Sequence, residues 1–103
     1  MADFTIGQIA DEFGVTLRTI RFYEHRGLVR PTRTAGGGRL YSELDRKRMR
    51  EIMLMRQVGF TVAEIARGGF DKAKFREQLE LLQRQRAELD DSILLLDNLI
   101  FDD

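Results

Sequence analysis

Arg18 and Arg21 follow Thr16 at short spacing, and Arg33 and Arg39 flank the run Gly36-Gly37-Gly38. An arginine fork grips guanine bidentately or holds a phosphate, and at a helix N-terminus the free backbone amides attract the same anions. Glycines let a backbone approach a sugar-phosphate edge, although three together also suit a merely flexible hairpin tip. The chemistry on offer is binding to a polyanion. Bond-making chemistry lacks its parts: His25 is the only histidine, cysteine is absent, and no Ser/His/Asp set, phosphate-cradling loop or carboxylate pair stands out. No His-based or thiolate metal cluster can be built in one chain, so no cofactor is expected. Met49, Met53 and Met55 sit among apolar neighbours at helical spacing and read as core fillers rather than copper ligands. Asp97, Asp102 and Asp103 read as a solvated chain end. The chain is expected to be a non-enzyme.

The 103 residues carry seventeen bases and seventeen acids, and 43% are apolar, which argues against disorder. The zero net charge hides a segregation. Residues 16–58 hold eleven bases against four acids, a local +7, while residues 59–103 carry −4 and residues 1–15 carry −3. A basic stretch is drawn to phosphate because each neutralised phosphate releases counterions, although a solvated, Arg-rich helix face has the same composition. No basic and apolar leader opens the chain, and no apolar run is longer than the four residues of Ile93-Leu94-Leu95-Leu96, far short of the ~18 residues that cross a bilayer. A cytoplasmic, nucleoid-associated protein with no membrane partner is expected.

The elements that must position these arginines are well punctuated. Thr5 and Gln8 form a capping box, Phe4 and Ile9 can staple it, and Ile6, Ile9, Ala10 and Phe13 repeat at helical spacing until Gly14. Thr16 caps a second helix that ends at Gly27, so the pair reads as a helix-turn-helix. On that second helix Ile20, Tyr23 and Glu24 share one side and Arg18, Arg21, Phe22 and His25 the other. Pro31 forces an extended exit, residues 32–38 are expected to be a flexible tip, and Arg39-Leu40-Tyr41 to return as a strand, making a two-stranded wing. Ser42 caps a third helix running to Gly59, with Asp45 in its first turn and Met49, Ile52, Met53 and Arg56 on one face. Thr61 and Glu64 cap a short fourth helix that Gly68-Gly69 ends.

From about Asp71 onward the pattern is one long helix. Phe75, Leu79, Leu82, Arg86, Leu89, Ile93, Leu96 and Ile100 alternate by four and three, the a and d positions of a coiled coil. About 40 Å of such a stripe exceeds what a small domain covers, so a second copy of the chain is expected to pair with it as a homodimer. Arg86 occupies an a position, either fixing register or snorkelling at the rim.

Phe4-Thr5-Ile6-Gly7-Gln8-Ile9-Ala10, Gly14 through Glu24, Gly27-Leu28, Arg39-Leu40-Tyr41-Ser42 and Gly59-Phe60-Thr61 through Glu64-Ile65 resemble the DNA-binding half of the MerR family of bacterial transcription regulators. The resemblance covers about residues 4–66. It implies a mainly α fold, with a winged helix-turn-helix DNA-binding domain in residues 1–69 and a long antiparallel coiled-coil dimerisation helix in residues 70–103. It further implies a dimeric, sequence-specific regulator that binds a palindromic element of double-stranded promoter DNA and bends or untwists it for RNA polymerase. Carried across residue by residue, Thr16, Arg18, Arg21, Phe22, Tyr23, Arg33, Arg39, Tyr41 and Arg56 are the implied DNA-binding set. The family usually has Tyr-Tyr where this chain has Phe22-Tyr23, and an aromatic where it has Gly38. With the last residues at Phe101-Asp102-Asp103 and no cysteine, a short member without an effector-binding domain is expected. Two other classes fit part of the pattern: an excisionase-like architectural DNA-bender, and an interaction module docking on a separate sensor.

Overall fold

Each helix in the computed structural model, which describes residues 3–102, opens on a side-chain oxygen accepting a backbone N–H three residues on. These caps satisfy amides that have no intrahelical partner and so fix where each helix starts. Thr5 caps α1 (Ile6–Phe13), Thr16 caps α2 (Leu17–His25), Ser42 caps α3 (Glu43–Gln57), Thr61 caps α4 (Val62–Arg67) and Asp71 caps α5 (Lys72–Phe101). Three of these are reciprocal boxes, closed by Gln8, Asp45 and Glu64. Asp45 thus completes a cap as well as meeting the helix dipole.

The stops are as local as the starts. Past α2, Gly27 donates to the Glu24 carbonyl and Leu28 to the Tyr23 carbonyl, both at 2.9 Å. Past α3, Gly59 and Phe60 repeat the pattern on Arg56 and Met55. This double bond requires a left-handed residue between cap and exit, which Gly27 (φ 77°) and Gly59 (φ 99°) supply. Each motif drives the next side chain inward, and Leu28 and Phe60 are both buried.

The sheet holds the expected two-stranded wing and adds a third strand to it. It has three strands in the order β1-β3-β2, with β1 (Phe4–Thr5) and β2 (Thr32–Arg33) on either side of β3 (Arg39–Tyr41). Phe4 pairs with Tyr41, and Arg33 with Arg39. The extended backbone that Thr5 adopts as a cap lays Phe4 along an edge of β3 that would otherwise be unpaired. The expected flexible tip is shorter than residues 32–38. Thr32 and Arg33 are strand, and Thr34 closes the turn by donating its N–H to the Gly38 carbonyl at 2.8 Å while its hydroxyl accepts from Gly38 N at 3.0 Å.

The chain divides into two compact units, residues 1–68 and residues 69–103. In the first, Ile9, Ile20, Met49, Ile52 and Ile65 from all four helices meet Val29 and Tyr41 in one core. Arg46 ties helices together from outside, ion-paired with Glu12 and Glu43 and lying 5.3 Å over the Phe4 ring. In the second unit Phe70 stacks on Phe75 at 6.0 Å, and no residue of α5 is buried. No helix among the described residues is long and apolar enough to cross a membrane.

Candidate nucleic-acid interface

The first turns of α2 present Arg18 and Arg21 to solvent, and neither guanidinium has a hydrogen-bond or ion-pair partner among the described residues. Thr16, the cap, is engaged at home: its hydroxyl accepts from Thr19 N at 3.1 Å and shares a bond with the Thr19 hydroxyl at 3.0 Å. The inward side of α2 carries Ile20 and Tyr23, as the spacing predicts. Phe22 remains half exposed, its ring 6.2 Å from that of Tyr23 and 6.0 Å from the Arg26 guanidinium.

Beside these residues lies a groove of about 430 Å³ lined by Arg18, Thr19, Phe22, Tyr23, Arg56 and Val62. It brings the start of α2, the end of α3 and the start of α4 together. Arg56 is anchored there, donating through Nη1 to the Phe60 carbonyl at 2.9 Å while the residue stays exposed. Tyr23 is almost wholly buried, so it offers this groove a wall rather than a free side chain. Two cations and an aromatic wall in an open groove suit a phosphate with its sugar.

The wing arginines are placed by a residue that helical spacing assigns only to the inner side of α2. Glu24 accepts from Arg33 Nη2 at 2.8 Å through Oε1 and from Arg39 Nε through Oε2. These partners are nine and fifteen positions away in the chain, so no local spacing announces them. The basic tally of residues 16–58 is also reduced from within. Besides Arg33 and Arg39, Arg46 is paired with Glu12 and Glu43, and Arg48 donates to the Leu28 carbonyl at 3.0 Å. The charge left free to meet a ligand is Arg18 and Arg21 on α2, Arg26 and Arg30 just beyond it, and Lys47 and Arg50 on α3.

Tyr41 leaves the interface set. It is 0% exposed, the partner of Phe4 in the sheet, and its hydroxyl has no hydrogen-bond partner among the described residues. The alternation in Arg39-Leu40-Tyr41 sends Tyr41 into the core between the helices and leaves no surface for DNA.

The family model described as MerR HTH family regulatory protein matches residues 4–67. The chain belongs to this family. A MerR-type relative, the HTH-type transcriptional activator mta of Bacillus subtilis, is 32% identical over 100 residues, covering 91% of this chain and 39% of that protein. The crystal structure of MtaN, the N-terminus of the Bacillus subtilis multidrug transporter activator, superposes with a TM-score of 0.83 at 30% identity, covering 96% of this chain and 99% of that one. HiNmlR, a MerR family regulator lacking the sensor domain and bound to promoter DNA, shares the fold at a TM-score of 0.70 and 22% identity, covering 96% and 88% of the two chains. This MerR-family chain spans less than half the length of the curated relatives it matches.

Within this MerR-type head the position of Tyr41 has a measurable consequence. Burial and the Glu24 charge raise its hydroxyl above the ordinary pKa of 10.0, against the opposing pull of Arg39. A phenol raised in the folded state supports folding fully below pH 10.0 and loses that support as the pH climbs toward the raised value. Tyr41→Phe removes an unpartnered hydroxyl, so melting near neutral pH stays equal or rises and the alkaline loss of stability flattens. Affinity for DNA stays at the wild-type level. Thermal melts across the alkaline range, with a binding titration at neutral pH, check both statements.

Proposed function

We propose that this chain is a dimeric, sequence-specific regulator that binds a palindromic promoter element and bends or untwists it for RNA polymerase. The observation that carries the reading is the pair of unpartnered arginines, Arg18 and Arg21, on the first turns of the second helix of a helix-turn-helix. That end of the helix enters a major groove in this motif. Arg56 and Arg18 supply a phosphate clamp beside it, and Arg33 and Arg39 a wing for the flanking backbone. Family membership favours promoter DNA over the excisionase-like and sensor-docking readings.

Dimerisation rests on α5. Leu79, Leu82, Leu89, Ile93, Leu96 and Ile100 are all exposed along one face, and isolated helices do not keep such a stripe in water. Its pattern favours antiparallel pairing. A parallel, in-register coil sets Arg86 against the partner's Arg86 inside the seam. Centring an antiparallel coil between Arg86 and Leu89 sets Arg86 against the partner's Leu89 instead. It also brings Arg76 beside the partner's Asp97 on the flank, twice by symmetry. Phe75 then meets the partner's Ile100, and every apolar member of the seam is covered.

The test is titration of the purified chain onto duplex DNA from its own upstream promoter region, across a range of salt. Retention is expected to fall linearly on a log–log plot, with a footprint of two mirrored half-sites flanking a lengthened spacer. A single-subunit mass with no salt-sensitive retention overturns the proposal.

A further inference from the structure

Arg33 and Arg39 are directly opposite each other across the wing ladder, a placement in which like charges repel. One carboxylate answers both: Glu24, on the same helix as Arg18 and Arg21, with its side chain only 16% exposed. The wing strands are two and three residues long, too short to hold an orientation unaided. A charge-assisted clamp on the ladder pair next to the turn is stiff where the hairpin is weak. Arg39, at 21% exposed, is the held member, and it uses Nε, so its two Nη nitrogens have no protein acceptor among the described residues. Arg33, at 54% exposed, is the outer one.

We propose that Glu24 is a positioning residue for DNA recognition. By clamping Arg33 and Arg39 to α2, it sets the angle between wing and recognition helix so that both meet one duplex together. The inference rests on the DNA reading above and adds a residue that need not touch DNA. Its sign is unusual, which makes it testable. An acid near phosphate repels it, so on charge alone removing Glu24 tightens binding and steepens the salt dependence. A positioning role demands the opposite.

The experiment measures binding of the full chain to its upstream promoter duplex at several salt concentrations, with a hydroxyl-radical footprint. The variants are Glu24→Gln and Glu24→Asp, each made in wild-type and Arg39→Ala backgrounds. Glu24→Gln is expected to weaken binding about tenfold despite the gain of positive charge. Its footprint loses the wing-side protection and keeps that of the recognition helix. Glu24→Asp, which keeps the charge and shortens the reach, weakens binding in the same direction and serves as the deciding variant if the glutamine form does not fold. In the Arg39→Ala background either change adds less than about twofold, because the two residues act as one unit. Equal or tighter binding by a folded Glu24 variant overturns the inference, as does a full tenfold loss added to that of Arg39→Ala. Absence of salt-dependent binding by the wild type overturns the DNA reading and this inference with it, and is distinguished by needing no variant.

Discussion

Ile93→Asp is expected to convert a dimer into a monomer at micromolar concentration while residues 1–68 stay folded. Ile93 is 56% exposed on an α5 that buries none of its residues, so the substitution disturbs nothing within one chain. In the proposed coil it faces the partner's Leu82, with Leu89 and Leu96 next along the seam. A carboxylate there brings an unpaired charge into an apolar stretch of the seam at both symmetric positions, at a cost of several kcal/mol each. Affinity for a two-half-site operator then falls by about two orders of magnitude or more, because the second head no longer binds as an intramolecular event. Sedimentation gives the mass and a gel-shift titration gives the affinity. Binding to a single half-site is left near its wild-type value, which separates loss of pairing from loss of the head. Persistence of the dimer sinks the coil as drawn.

The Arg18→Ala, Arg21→Ala double variant tests the head itself. Both side chains are exposed and without protein partners, so thermal stability is expected to move by less than about 0.5 kcal/mol. DNA binding is expected to drop at least a hundredfold, since each arginine that reads a base or phosphate contributes about 1–3 kcal/mol and each occurs twice in a dimer. The single variants assign roles. An arginine on phosphate weakens all sequences alike and lowers the salt slope by about one per contact, whereas an arginine on guanine relaxes preference at one position of each half-site. Unchanged affinity in the double variant removes α2 as the reading helix.

Much of the head is legible in the sequence because its instructions are local. Thr5 with Gln8, Thr61 with Glu64, and Gly27 and Gly59 each act within four residues, and the structure realises all of them. Ile9, Ile20, Met49, Ile52 and Ile65 are buried where helical periodicity puts them. What the sequence hides is long in chain separation and short in space. The pairing of Phe4 with Tyr41 has no local signature, and it decides both the third strand and the burial of Tyr41. A three-residue strand such as Arg39-Leu40-Tyr41 alternates whichever way it faces, so its pattern names two faces without saying which is inside. Periodicity places Glu24 on the inner face of a helix, and its role emerges only once the hairpin folds back on α2. Arg46 and Arg48 count toward a basic stretch although their forks are turned to Glu12, Glu43 and the Leu28 carbonyl. Composition cannot separate a guanidinium serving its own fold from one awaiting a ligand.

The bareness of α5 ties its order, in the proposed dimer, to dosage. On dilution the thirty-residue rod loses its companion and frays. The melting point of the tail is therefore expected to rise with protein concentration whereas that of residues 1–68 does not. A regulator paired in this way carries a threshold set by its own abundance.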